Sequence, residues 1–446
     1  MKLNIPLRSA PDGQVNSERL VNMYAEVAGG KADQQLLSSP GLETVLSLSG
    51  GAIRGLYVHN GWLYALAGNS LYRVSDTYEA TLVGVIPGSG LAIGASSGLE
   101  LCITNSNNEG YIVDSVVTPI ADVDFLGANS VDYLDGYFIF SSGENEFSIS
   151  ALYAGGSIDA LDFATAESNP DKIVRAFIDH RELLLMGEST VETWVNTGNA
   201  DFPFERVPGG VAEKGLASRH AVAKMDNSVY WLDSDGVVRV MQGGYSPQRV
   251  STHEVERSLT NISSAEAFSF VWGGHEFFVL TSGSTWLYDA STQQWHERQS
   301  YNKSRWRANT HAFIYGNHYV GDFESGVIYK LSDSVFAEGS DVLVSEIVFP
   351  LIHNEQKRFR MHSVLLDMEV GEGPVYSTPK IRLDLSADGS TWNTVGYGSL
   401  GRTGERNHRV VWRRLGQHRN LHMRFIVSDP CKRAVYSAYA EITPDG

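Results

Sequence analysis

Apolar and polar positions recur in one order along residues 50–335: a short apolar strand, a tight turn, a second apolar or aromatic strand, a break containing Gly, and a third strand. Residues 55–68 form the first copy, followed by Ser70-Leu71-Tyr72-Arg73-Val74. Its turn, Asn60-Gly61, is the strongest short hairpin signal, because both residues tolerate positive φ. Later copies turn on Asp135-Gly136, Asp179-His180, Asp226-Asn227, Gly273-Gly274 and Gly316-Asn317, and a weaker copy turns near Ser97-Gly98. The turns fall at positions 60, 97, 135, 179, 226, 273 and 316, at spacings of 37, 38, 44, 47, 47 and 43 residues. A period of roughly 40–50 residues with several strands per unit marks a β-propeller blade, so the spacing predicts about seven blades. One unit cannot bury both of its faces alone, so neighbours must stack. Loosely spaced hairpins also occur in β-sandwiches, and these copies share pattern more than identity.

Residues 42–48 and 80–86 also read as strands, and either is placed to supply the last strand of the final blade and fasten the ring. Helical patterning is weak and confined to residues 13–27 and 251–262. After Leu331 the repeat stops, and residues 332–340 are polar, as a linker is. Beyond it, Ile381-Arg382-Leu383-Asp384-Leu385 alternates, a turn at Asp388-Gly389 leads into another strand, and Leu421, Met423, Phe425 and Val427 share one face. Residues 410–412 and 434–440 add two strands, and together they predict an antiparallel β-sandwich. The expected organisation is an arm with a ring-closing strand over 1–49, a propeller over 50–335 and an Arg-rich sandwich over 341–446.

Charge divides at the same boundary. The whole chain of 446 residues has a net charge of −17. Residues 351–446 hold 14 Lys and Arg against 10 Asp and Glu, a balance of +4, and residues 1–350 hold 21 against 42, a balance of −21. An acidic body repels phosphates, which excludes a generic DNA-coating protein. The basic part is rich in arginine: Arg402, Arg406, Arg409, Arg413, Arg414, Arg419, Arg424 and Arg433. Arginine favours forked pairing with carboxylates or phosphates. Two readings fit, a solvated strand face or an interface with an acidic partner or neighbouring subunit.

With 42% apolar residues the chain can fill one or two cores, so disorder is excluded. Cys102 and Cys431 stand far apart, which fits a reducing compartment and no disulfide framework. No apolar run approaches the ~20 residues of a membrane helix. The opening Met-Lys-Leu-Asn-Ile-Pro-Leu-Arg has no signal-peptide core, so a soluble protein outside the standard secretory route is expected.

Catalytic motifs are missing: there is no nucleophile elbow, phosphate loop, dinucleotide fingerprint or H-E-x-x-H helix. His275-Glu276 and His296-Glu297 lack a second zinc histidine and read as exposed strand residues. Asp233-Ser234-Asp235-Gly236 begins like a calcium loop but lacks the remaining ligands, and reads as a turn. Residues 386–392 are similar to the Asp-box of sialidase propellers but one residue short of its spacing, and a Ser/Asp/Gly hairpin accounts for them. No catalytic residue, cofactor or metal is assigned.

Arg19-Leu20-Val21-Asn22-Met23-Tyr24-Ala25-Glu26 followed by Pro40-Gly41-Leu42 resembles the opening of the packaged-DNA stabilisation family of short-tailed bacteriophages, whose members form the tail nozzle or hub. Ser189-Thr190-Val191-Glu192-Thr193-Trp194, Lys214-Gly215-Leu216-Ala217, Leu287-Tyr288-Asp289-Ala290 and Val411-Trp412-Arg413-Arg414-Leu415-Gly416 continue the likeness over nearly the whole chain. The resemblance implies a structural virion protein assembled in the host cytoplasm as a homohexameric ring below the portal and adaptor. It implies closure of the DNA exit after packaging and docking of a tail needle, fibre or spike. DNA would pass without specific binding. Candidate contact residues are Arg19, Asn22, Tyr24 and Glu26 of the arm, with Arg402, Arg406, Arg409, Arg413, Arg414, Arg419 and Arg424 of the basic edge. The rival functions are a receptor- or glycan-binding propeller at the tail tip and a propeller glycosidase acting on host polysaccharide.

Overall fold

The computed structural model describes residues 1–10, 18–27, 34–166 and 171–444. Among them, seven successive antiparallel sheets of four strands each form a β-propeller. Blade 1 comprises Ile53–His59, Trp62–Ala67, Ser70–Val74 and Ala80–Val85. The inner strands of blades 2 to 7 are Ile93–Ser96, Ser130–Leu134, Ile173–Asp179, Val222–Met225, Glu266–Trp272 and Ala308–Ile314. Blades 1 to 6 are meanders of consecutive strands, which short tight turns permit and a parallel sheet would not.

Residues 42–48 close the ring. The strand Gly41–Ser47 pairs with Val327–Ser332 as the fourth strand of blade 7, while Ala80–Val85 is the outer strand of blade 1. Asn309 on blade 7 donates to the Ile53 carbonyl of blade 1 at 2.8 Å. Apolar clusters then fill the spaces between blades: Leu56, Leu63 and Val74 pack against Ala312, Ile314 and Tyr319. Each such Leu contributes on the order of 2 kcal/mol by leaving water.

The turns match the sequence closely. Asn60 and Gly61 have φ of 49° and 75°, and Asp135 and Gly136 have 50° and 100°. Two turns sit one residue from their expected place. Asp179 pairs with Glu182, so His180 and Arg181 are central. His180 is held there by contacts to Asp179 and Asn227 at 2.7 and 2.6 Å. Ile314 pairs with Asn317, so Tyr315 and Gly316 are central, and the Tyr315 hydroxyl donates to the Val74 carbonyl. Within residues 251–262 a helical turn spans His253–Ser258, capped by Thr252. The described part of residues 13–27 is extended, as Arg19–Val21 and Met23–Val27, and residues 13–17 lie outside the described residues.

The second domain is a sandwich. In one sheet Phe359–Met368 lies between Val410–His418 and Ala434–Pro444. The other aligns Ser345–Val348, Asn420–Val427, Lys380–Ser386 and Asn393–Ser399. Leu421, Met423, Phe425 and Val427 are all buried, on the face that alternation assigned them. The arm joins the two domains. Arg19–Val21 runs parallel to the outer strand of blade 6 and antiparallel to Ser345–Val348, making one continuous ten-stranded sheet. Lys2–Leu3 and the hairpin Met23–Val27 with Gln34–Ser38 extend the other sandwich sheet through Ala434–Pro444.

Candidate assembly surfaces

The four arm candidates make contacts within the chain. Arg19 grips Glu297 of blade 6 through Nε and Nη2, at 2.9 and 2.7 Å, and Glu346 of the sandwich through Nη1 at 3.1 Å. Burial opposes its charge, but the bonds to Glu297 and Glu346 outweigh it and hold the guanidinium pKa above its ordinary value. Asn22 is 0% exposed, sits at φ 57°, and donates to the carbonyls of Gln299 and Val344. It also accepts from Gln299 N, so one amide spans both domains. Tyr24 is buried edge-on against His275 and Phe277. Glu26 accepts a hydrogen bond from Gln35.

Beneath this stitch lies a buried charge cluster without counterpart in the sequence expectations. Arg298 and Glu338 are 1% and 0% exposed and lie 3.2 Å apart. Glu338 also accepts from Trp306 Nε1 at 3.1 Å and lies 3.5 Å from Arg307. Arg298 donates to the Pro40 carbonyl at 2.7 Å and stands over the Trp306 ring. Burial, opposed by Glu338 and reinforced by Arg433, brings the Arg298 pKa down to about 10. Arg433, also buried, donates to Ser345.

The basic edge is mostly open. Arg402, Arg406, Arg409, Arg413, Arg414 and Arg419 are exposed. Arg406 pairs with Glu372 at 3.0 Å, and with Arg409 it lines an open groove of about 640 Å³ beside Asp367 and Glu369. Arg413 faces outward opposite Ser363, and Arg414 occupies the adjoining bulge at φ 63°. Arg424 differs: it forks onto Asp384, reaches toward Glu346 and covers the Trp392 ring, so it is internal to the domain.

A further surface was not anticipated. The outer strands of blades 1, 2 and 3 end their sheets without a covering strand. Leu82, Val85, Leu161 and Phe163 stand exposed on the strands of blades 1 and 3, and Val116 and Val123 on the segments flanking the strand of blade 2, Val123 at 92% and Leu161 at 78%. A Cβ on Gly84 would lie 2.6 Å from the Val117 side chain, so the rims of blades 1 and 2 touch. Strand periodicity finds the strands but does not say which edge of a blade lies open.

Among the described residues no group of three or more His, Cys, Asp or Glu is placed to hold a metal. His275 and His296, expected to be exposed, are buried, because the arm covers this side of blade 6: Tyr24 packs on His275, and Arg19–Val21 pairs with the strand Gln294–Arg298 that carries His296. His275 Nδ1 donates to Asp289 at 2.8 Å, a bond that raises its pKa. Burial takes His296 down to about 4. Asp233 accepts from the backbone of Asp235 and Val237 and pairs with Arg239, as a turn does. Asp388 likewise caps Ser390 and Thr391 in its hairpin.

Two family models match the sequence. One, described as bacteriophage P22 Gp10, β-propeller, covers residues 5–336, and one described as bacteriophage P22 Gp10, β-sandwich, covers residues 345–443. No curated protein matches in sequence. Similar solved structures include the WD40 β-propeller domain of Doa1, at 13% identity and a TM-score of 0.43, covering 66% of this chain and 97% of that one. The computationally designed Ika8 protein is similar at 10% identity and a TM-score of 0.41, covering 65% of this chain and 99% of its own.

Proposed function

The chain belongs to the bacteriophage P22 Gp10 family and is a structural protein of a phage tail, and from that premise we propose that it forms a homohexameric ring that closes the DNA exit below the portal and adaptor. The ring retains the packaged genome and docks the distal needle, fibre or spike. The observation that carries this reading is the bare apolar rim of blades 1 to 3: blades 6 and 7 are covered, and the open outer strands of blades 4 and 5, Phe204–Ala212 and Gln248–Arg249, carry no large exposed hydrophobic side chain. An edge of this length, apolar and unpaired, needs a partner to keep it from indiscriminate strand addition. The acidic propeller and basic sandwich are complementary, so the Arg409, Arg413, Arg414 and Arg419 edge of one copy can meet the propeller of the next. Asn22 and Tyr24 act inside the subunit and hold the angle between its domains.

The propeller axis does not offer a path for duplex DNA. At its mouth the opening is a depression of about 530 Å³, the size of a small-molecule site. The DNA path therefore runs between subunits, past acidic surfaces that give phosphates no hold. Obligate contacts of this kind bury more than ~2,000 Å². Mass measurement and negative-stain imaging of the purified chain, alone and with portal–adaptor particles, test the reading. Six copies at the tail end of those particles are expected, and a monomer that never joins them rejects it.

A further inference from the structure

The mouth of the propeller axis brings three guanidiniums, Arg54, Arg175 and Arg219, close together in a chain that is acidic overall. The depression there is lined by the segments leading into the inner strands of blades 2 to 6, among them Gly90, Asn129, Lys172, Arg219, His220 and Glu266. We propose that it is a binding site for a single phosphate group, either free or as the terminal monoester of a small saccharide.

Arg219 lines it, and Arg54 and Arg175 lie behind it, each near enough to repel the Arg219 charge, with no carboxylate hydrogen-bonded to any of the three. Arg54 donates only to carbonyl oxygens, including Gly90 at 2.7 Å and Gly68 at 2.9 Å. Arg175 Nη1 donates to the Arg219 carbonyl at 2.8 Å, and its buried Nε has no protein partner. Arg219 donates through Nε to His220 Nε2 at 3.0 Å and through Nη1 to the Asn129 carbonyl at 3.4 Å, while Nη2 has no hydrogen bond among the described residues. Burial, then Arg219 and Arg175, hold the His220 pKa well below its usual value, so its ring is neutral and accepts. The other charged groups are accounted for. Glu266 is held by Arg305 at 2.8 Å, and Lys172 pairs with Glu144 at 3.5 Å. Asp132 lies near Arg175 and accepts from the backbone of Ile178 and Tyr133. Glu188 is the remaining carboxylate on the lining. Arg175 Nε and Arg219 Nη2 are spare guanidinium donors of the kind that pair with a phosphate, and a depression of this size has room for the saccharide that carries one. A duplex does not fit, and its many phosphates meet the repulsive field of the rest of the propeller.

Titration of the full-length protein with inorganic phosphate, followed by 31P NMR and calorimetry, tests the site. Saturable binding at one phosphate per chain is expected, weakened at least tenfold in Arg219→Gln. Lys172→Glu alters only the exposed rim and is expected to weaken binding several-fold in a chain that melts as the wild type does. Glucose 6-phosphate binding more tightly than phosphate assigns the saccharide source, and equal affinity assigns the free anion. Non-saturable binding, or equal affinity in wild type and both variants, overturns the proposal. So does tighter binding of a duplex oligonucleotide.

Discussion

Blades 6 and 7 and blades 1 to 3 are built from the same four-stranded unit, yet their outer edges are finished in opposite ways. The edge of blade 6 is occupied by Arg19–Val21, with Ser9 and Asn22 donating to the carbonyls of Trp295 and Glu297. Blade 7 is closed by Gly41–Ser47, which Ala337–Glu338 covers in turn. The blade 6 sheet runs on through the arm into the sandwich, and the blade 7 sheet runs on to Asp341–Val342. On the opposite side the strands Ala80–Val85, Val117–Pro119 and Ala154–Thr165 end their sheets, and they or the segments flanking them carry apolar side chains into water. The covered side uses buried ions and forked hydrogen bonds, which fix one geometry at the cost of desolvation. The bare side keeps apolar area that only another molecule can remove from water. The covered edge thus serves rigidity within a subunit, and the bare edge serves association between subunits.

The covered side breaks most severely at Glu338. Removing its charge leaves Arg298 buried without a carboxylate, and breaking such a pair costs about 3–5 kcal/mol. Glu338→Gln should therefore lose stability of that order in urea unfolding, while the double variant Arg298→Met with Glu338→Met should recover much of it. A loss under about 1 kcal/mol for the single variant would show that the cluster does not hold the junction.

Acid separates two histidines near the same junction. His296, 2% exposed, titrates near 4 in the fold against about 6.5 when unfolded. From pH 6.5 down to 4 the unfolded chain holds the extra proton, so stability falls with pH by on the order of 2–3 kcal/mol. His275 has the opposite sign. Its pKa is raised by Asp289, so its contribution is complete below about 6.5 and is lost as pH rises through the folded value. His296→Leu should flatten the acid limb of the melting temperature against pH, and an unchanged limb rejects the assignment. Arg19→Ala comes next. Its guanidinium is about one-third open, so the loss should be only about 1–2 kcal/mol. Amide exchange should quicken in Arg19–Val21 and Ser345–Val348 before the blades open, and Arg19→Lys should restore little because the fork is lost.

The periodic part of this fold was legible because hairpin chemistry is local. Asn60-Gly61 and Asp135-Gly136 announce their turns through the φ values they tolerate. The one-residue displacements at His180-Arg181 and Tyr315-Gly316 arise because non-Gly residues there are held by tertiary bonds, to Asn227 and to the Val74 carbonyl. The alternation of residues 421–427 fixed the buried face of the sandwich. The junction was not legible. Arg298 and Glu338 lie 40 residues apart, and Arg19 and Glu297 278 apart, with no local pattern linking them. His275 and His296 looked exposed because a distant segment, the arm with Tyr24 and Arg19–Val21, covers them, which one strand's pattern does not record. The contacts of the arm residues lie within one chain: Arg19 and Asn22 join the two domains, Tyr24 packs on blade 6 and Glu26 pairs with Gln35 of its own hairpin.

The smallest effect on the isolated chain belongs to the bare edge, and it sharpens the comparison most. Leu82 on the outer strand of blade 1 is 56% exposed, with Thr81 paired to Arg73 and the backbone ladder independent of its side chain. Leu82→Lys removes apolar area from the surface without opening a cavity, so folding stability should stay within about 0.5 kcal/mol. The same change places a charge where a partner would have to desolvate it, and an edge lysine is a common natural block to strand addition. If the bare rim is an association surface, Leu82→Lys should leave the melting curve in place and shift sedimentation of the purified chain toward the monomer. A matched change on the Arg-rich edge, Arg413→Glu, should produce the same shift through charge, and its effect should fade as salt is raised, whereas that of Leu82→Lys should not. Sedimentation identical to wild type for Leu82→Lys would mean that the open rim is covered by something other than a second copy.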